Sequence, residues 1–264
     1  SLGLKFYYNT HTRHINYGYG NGWKTNYDIE MLHDSFSNSY YMLKPDGNKV
    51  HFMNETCEHI EYGDYKCLSV AEDGSRMMLE RWTHLSTGEN LGMNLTTTTG
   101  LKYYFNGNGR LTRIQNMKTT HSLNVFYNAF DLVHYVSDEA GNRIQFFYNH
   151  MAVLTSTELR LKQSGTVWRS VEKNLYTYDS NNNLDYVRRS SRYGNGSDNL
   201  WSSEERLEYE FDGNNKLLNA YSLEDQVKVD YIYDHNNRVI QVLKTNNELS
   251  IGELNISYTL GKTT

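Results

Sequence analysis

The chain has 264 residues, a net charge of -5, 38% hydrophobic and 22% charged residues, enough for one large domain or two modest ones. It holds no run of eighteen apolar residues and no basic block. A membrane-spanning helix is therefore excluded, and binding to a phosphate backbone has no electrostatic footprint.

In chain order, the start Ser1-Leu2-Gly3 has neither the basic nor the hydrophobic region of a signal peptide. With no initiator Met, the chain is expected to be a fragment cut from a longer one. Gly18-Tyr19-Gly20-Asn21-Gly22 is Gly-rich but lacks a Lys-Ser/Thr pair and a following helix. It reads as a flexible strand connection delivering Trp23 to a sheet, not as a phosphate loop. Asp46-Gly47 and Asp73-Gly74, each flanked by β-formers, mark hairpin tips. Cys57 and Cys67 are the only cysteines; they either close a small disulfide across a hairpin outside the cytosol or remain two thiols, and the spacing leaves both open.

From residue 105 onward one motif returns six times. Each copy has an aromatic anchor (Phe105, Tyr127, Tyr148, Tyr178, Phe211, Tyr233), then Asn or Asp, then an aliphatic residue six places after the anchor (Leu111, Val133, Leu154, Leu184, Leu217, Val239). The anchors are 22, 21, 30, 33 and 22 residues apart, a period in which each unit buries its apolar face against its neighbours. Four places after the anchor stand Gly109, Asp131, Ala152, Asn182, Asn215 and Asn237. All but Ala152 tolerate a left-handed backbone, so each copy is expected to be a hairpin with a type I turn closed by a left-handed residue. Ala152 implies a strained or different loop, and Asn is expected to be accepted in place of Gly109. The apolar positions six and nine places after the anchor differ by three, which requires a bulge or two partly covered faces.

Glu139-Ala140-Gly141-Asn142 is a further tip, and the longer third and fourth intervals contain Trp168 and Trp201. Ser203 to Glu210 has helix-friendly composition but runs straight into the anchor Phe211, and we read it as a strand. No 3.6-residue apolar period persists. The expected fold is all-β: hairpins over residues 1–100, then six repeats over 101–264 continuing the same curved, spiralling antiparallel sheet. Tyrosines number 23, against 9 Phe and 4 Trp, which suits sheets with one wet face.

The literal Tyr178-Asp179 and Tyr233-Asp234, with Asn-Gly-Arg-Leu at 108–111 and Asn-Asn-Arg-Val at 236–239, resemble the YD repeat of the Rhs family. Tyr7-Tyr8-Asn9, Gly20 to Asp28, Pro45-Asp46-Gly47 and Phe52 are similar to the order of elements that opens its repeat region. The resemblance implies a sheet that spirals into a hollow shell, enclosing a toxin in bacterial members and forming part of an adhesion receptor in the teneurins. The family's proline- and aspartate-containing self-cleavage segment is missing, since Pro45 is the sole proline.

Function is expected to be structural: a wall segment around a polypeptide cargo, partnered by neighbouring repeats of a longer, secreted or cell-surface chain. No nucleic acid, membrane span, cofactor, metal or catalytic residue is assigned. The ten histidines fall at spacings that bring no three ligands to one hairpin. The rival is a carbohydrate- or protein-binding module, with Trp168 and Trp201 as a ligand platform. A hydrolase would need two carboxyls across one sugar ring.

Overall fold

The structure, a computed structural model, describes residues 2–60, 64–84, 86–193, 200–202, 204–259 and 262–263. These residues are almost entirely strands and turns; one 3-10 turn, Thr10–Thr12, is the single helical element among them. The fold is all-β and antiparallel. By its contacts the chain forms two compact units, Ser1–Tyr7 with Lys24–Ile144, and Tyr8–Trp23 with Gln145–Thr264. The boundary at residue 100 separates segments by motif; the units separate them by packing.

Strands β1 (Phe6–Tyr8) and β2 (Trp23–Thr25) flank the N-terminal segment. The first unit then runs β3 (Glu30–Asp34), β4 (Ser39–Leu43), β5 (Lys49–His59), β6 (Asp64–Ala71), β7 (Met78–His84), β8 (Asn90–Thr96), β9 (Leu101–Asn106), β10 (Leu111–Asn116), β11 (Ser122–Tyr127) and β12 (Val133–Asp138). Each pairs antiparallel with the next. Alternate residues face the core, where Met31, Met42, Phe52, Leu79, Leu95 and Phe105 are buried. The meander turns back on itself. The Met31 N–H donates to the Gly109 carbonyl at 2.9 Å, Glu30 bridges to Arg110, and the Arg110 guanidinium bonds the carboxylates of Glu30 and Asp131. Cys57 and Cys67 are opposite one another on β5 and β6 and are joined as a disulfide.

At β13 (Arg143–Tyr148) the chain passes to the second unit: β14 (Leu154–Ser164), β15 (Val167–Tyr178), β16 (Leu184–Tyr193), β17 (Leu200–Trp201), β18 (Glu205–Phe211), β19 (Leu217–Ser222), β20 (Val227–Tyr233), β21 (Val239–Asn246) and β22 (Leu249–Asn255), with the short β23 (Tyr258–Thr259) and β24 (Lys262–Thr263) after it. The ladder runs β14, β15, β16, β18, β19, β20, β21, β22, and β17 lies along the end of β16. Of the helix-friendly stretch before Phe211, Glu205 to Glu210 form a strand, and Ser203 lies outside the described residues.

The six repeat loops share one geometry. The N–H of the Asn or Asp donates to the carbonyl four residues on at 2.9–3.0 Å, and the N–H of the left-handed residue returns to the Asn or Asp carbonyl at 2.9–3.1 Å. The side-chain oxygen of the Asn or Asp accepts the N–H groups two and four residues on, at 2.8–3.1 Å, in every copy. One side chain thus satisfies two donors that the turn would leave open. Gly109, Asp131, Ala152, Asn182, Asn215 and Asn237 all have φ between 60 and 78. Ala152 adopts the same loop as the others, in a region where its Cβ is disfavoured.

A bulge accounts for the spacing of three. Leu111 pairs with Phe105 and Arg113 with Tyr104, so Thr112 is left over; His134, Asp185, Leu218 and Ile240 are left over at the same place in their copies. The extra residue shifts the pleat by one, so positions six and nine share the buried face. Leu111, Val133, Leu154 and Leu184 are fully buried there, with Val136 and Thr157 beside them.

Candidate functional site

The repeat loops are where the chain concentrates its recurring chemistry. Some backbone groups of these loops, the carbonyls of Gly109, Asn182 and Asn215 and the N–H groups of Leu154 and Leu217, bond to residues outside their own hairpins. In the second unit, residues 8–23 cross three of these loops as a strap. Gly18 accepts the Leu154 N–H at 2.7 Å, and the Asn21 N–H donates to Asn182 at 2.9 Å. The Tyr8 hydroxyl donates to the Asn215 carbonyl at 2.5 Å and accepts the Leu217 N–H at 3.2 Å. Asn21 Nδ2 and Arg13 Nε reach the neighbouring carbonyls of Asn181 and Asn214. Met31 meets Gly109 in the same way in the first unit.

Rings seal the strap. Trp23 lies 5.1 Å from Tyr209 and 5.3 Å from Tyr8, and Tyr8 lies 5.9 Å from Phe211. Burial pushes the Tyr8 hydroxyl up to about 12. Gly18, Gly20 and Gly22 are buried with φ of 95, 92 and 78. A Cβ on Gly20 would stand 2.9 Å from Cε1 of Tyr178. The glycine run is therefore a docked element rather than a flexible connection. The sequence signal that could have found it is the alternation of glycines, which indicates close backbone approach.

Of the anchors, Phe105 is in the core and the other five are half-buried. Their hydroxyls tie successive hairpins: Tyr127 donates to the Leu111 carbonyl at 2.8 Å and Tyr233 to that of Leu217 at 2.7 Å. The Tyr178 hydroxyl is buried with no hydrogen-bond partner among the described residues, and burial pushes it upward. Gly109 is more constrained than its turn type demands, because a Cβ there would fall 1.9 Å from the Met31 oxygen. Asn is thus excluded along with bulkier residues, a correction to the tolerance expected from the other copies.

Trp168 and Trp201 stand on β15 and β17, the strands that both pair with β16. Trp168 stands on β15 opposite Lys162, and Trp201 pairs with Arg192 on β16. The Arg192 guanidinium lies 5.9 Å from the Trp201 ring and reaches the Ser170 carbonyl at 3.4 Å. Trp201 is 37% exposed and Trp168 half-buried.

Two concavities occur among the described residues besides these. One, about 420 Å³, lies between the β3–β4 turn and β5. The other, about 480 Å³, crosses β16, β18, β19 and β20 and is lined by Asp185, Glu208, Glu210, Arg206, Lys228 and Tyr221 among others. Two of its carboxylates have partners: Glu208 holds Arg206 at 2.8 Å and Glu210 accepts Asn219 Nδ2 at 2.5 Å. Burial, with Asp179 and Glu208 adding to it, pushes Asp185 above the usual carboxylate range against the pull of Arg206. The one trio of potential metal ligands drawn together among the described residues is Glu55 with Cys57 and Cys67, and both sulfurs are engaged in the disulfide.

No protein-family model and no curated protein matches the chain. Among solved structures it is similar to the N-terminal domain of effector protein SpvB from Salmonella typhimurium strain LT2, at 14% identity and a TM-score of 0.39, over 84% of this chain and 93% of that one. It is also similar to a chain of the TcdB2-TccC3-Cdc42 crystal structure, at 8% identity and a TM-score of 0.35, over 86% of this chain and 13% of that one.

Proposed function

We propose that this chain is a structural wall segment of an Rhs-type β-shell that surrounds a polypeptide cargo, and that it carries out no catalysis. The observation that carries the reading is the use made of the repeated residues. In all six copies the Asn or Asp closes its own loop. In the second unit the backbone groups of three loops hold the strap. These repeated side chains are thereby committed to the backbone of their own loops. The Cys57–Cys67 disulfide supports a secreted or cell-surface location, where such bonds persist.

The test is protection. The full natural protein is treated with proteinase K before and after mild unfolding; the reading requires a polypeptide that resists the protease only while the sheet is folded. Immediate digestion of everything but the repeats would overturn it. A second reading, a glycan-binding module, is favoured by the exposed Trp201 ring with the Arg192 guanidinium over it, since flat aromatic rings offer an apolar stacking surface. A glycan array on this chain, repeated with Trp201→Ala, separates the two.

A further inference from the structure

Strand β5 outruns its neighbour. It pairs with β4 only from Lys49 to Phe52, whereas β6 stays with it as far as His59. Residues Met53 to His59 are all exposed, and no described strand follows them on the β4 side. The Cα atoms of Cys57 and Cys67 are 4.0 Å apart, the close spacing of a non-hydrogen-bonded antiparallel pair. The N–H and C=O of Cys57 therefore point away from β6 into the open side, as do those of His59 two residues on. A row of such groups is a template for another strand, and the disulfide holds it in register.

Where β4 ends, the 420 Å³ cavity opens beside this edge, lined in part by Tyr40, His51, Met53, Asn54 and Glu72. Asn54, at φ 56, and Glu55 form the bulge that opens it. Above it the Asp34 carboxylate accepts the Phe36 N–H at 3.0 Å and the Ser37 hydroxyl at 2.7 Å. That turn is pinned, yet it presents Phe36 99% exposed. Met53, Val70 and Met78, cross-strand partners in one row, continue the apolar surface at close to half exposure.

We propose that the open edge of β5 is a docking edge for an extended, net basic segment of a partner polypeptide. The segment adds a strand through the backbone groups of Cys57 and His59 and places a side chain in the cavity against Tyr40, Phe52 and Met53. Strand addition of this kind takes its affinity from main-chain bonds and its selectivity from pockets for alternate side chains. The sign of the partner follows from Asp34 and Glu72 in the cavity with Glu58 on the edge, against His51 and the Lys66 opposite Glu58; Lys66 is held by Glu80 at 3.1 Å and Glu55 by Arg81 at 3.0 Å. Charges and a bulge are also how proteins keep edges from pairing with themselves. Here they set carboxylate against carboxylate in a second copy of this chain and leave a strand of opposite sign free to bind.

The probe is a fluorescein-labelled Lys-Val-Lys-Phe-Lys-Val-Lys-Val peptide added to the intact, oxidised chain. Anisotropy should show saturable binding, and amide exchange at Cys57 and His59 should slow by roughly tenfold or more on binding while Thr56 and Glu58, already bonded to β6, stay unchanged. N-methylation of one alternate set of peptide amides should abolish binding and of the other leave it intact, and Glu58→Lys should weaken it by about fivefold or more. Equal binding by both methylated peptides would reduce the contact to charge attraction and overturn the proposal. So would no binding at millimolar peptide, or protection of Cys57 and His59 in a peptide-free dimer seen by sedimentation.

Discussion

Tyr8 shows how one hydroxyl fixes a strap to a repeat. It donates to Asn215 and accepts from Leu217, so Tyr8→Phe leaves a carbonyl and an N–H facing an apolar ring edge, at a cost of about 1–3 kcal/mol. Burial raises its folded pKa to about 12 from the 10.0 of a free tyrosine. The contribution is therefore complete below about pH 10 and is lost as pH rises through about 12. In urea unfolding, the gap between wild type and Tyr8→Phe is expected to be full at pH 7 and to narrow above pH 10; a gap unchanged at pH 11 would contradict the bonding described. Gly109 gives the complementary case. Its φ of 78 favours Gly or Asn, but the 1.9 Å approach of the Met31 oxygen admits no Cβ at all. Gly109→Asn and Gly109→Val are both expected to destabilise by more than about 2 kcal/mol. An Asn variant as stable as wild type would show that β3 does not rest on this loop.

The repeating unit is the hairpin with its bulge, and here the sequence is informative in proportion to how local the cause is. The Asn or Asp that caps each loop acts on N–H groups two and four residues away, so its spacing alone reveals the turn. The bulge at Thr112 and its equivalents depends on which residue of the preceding strand each position meets, and spacing leaves that open. Ala152 tests the loop itself. It holds φ 60 in a loop whose hydrogen bonds match the other five, where Ala is disfavoured by about 1–2 kcal/mol and Gly carries only about 0.5–1 kcal/mol of extra entropy. Ala152→Gly is expected to stabilise by up to about 1 kcal/mol in thermal or urea unfolding. A loss would mean that the Ala152 methyl makes contacts outweighing the strain. Asp212 adds a pH dependence at the same scale. Partial burial opposes its charge, but the N–H groups of Lys216 and Asn214 hold its carboxyl below the usual range. Its stabilisation is present above the unfolded pKa and is lost as pH falls through the folded one. Asp212→Asn should keep the loop at pH 7 and flatten that acid limb.

Across the whole molecule, what the sequence conceals is every contact between residues far apart in it. The strap of residues 8–23 meets loops about 130 to 210 residues away through backbone carbonyls and N–H groups. Such groups are the same in every residue, so only the glycines that let them approach leave a trace. The two cysteines are a second instance. Whether they bond turns on the register of β5 against β6, which places Cys57 opposite Cys67; a spacing of ten residues does not contain that register. The bond closes a short loop in a unit with no other crosslink among its described residues, and constraint of the unfolded chain by a loop of this size is worth about 3 kcal/mol. Reduction of the intact chain with a phosphine is expected to lower protection from amide exchange in urea across β5, β6 and β7. The Cys57→Ala/Cys67→Ala pair should show a similar loss in the oxidised preparation and no further response to reductant. A double variant as stable as wild type would mean that the hairpin between β5 and β6 keeps its pairing in the unfolded ensemble, and the bond would then serve to hold the open edge of β5 in register rather than to stabilise the fold.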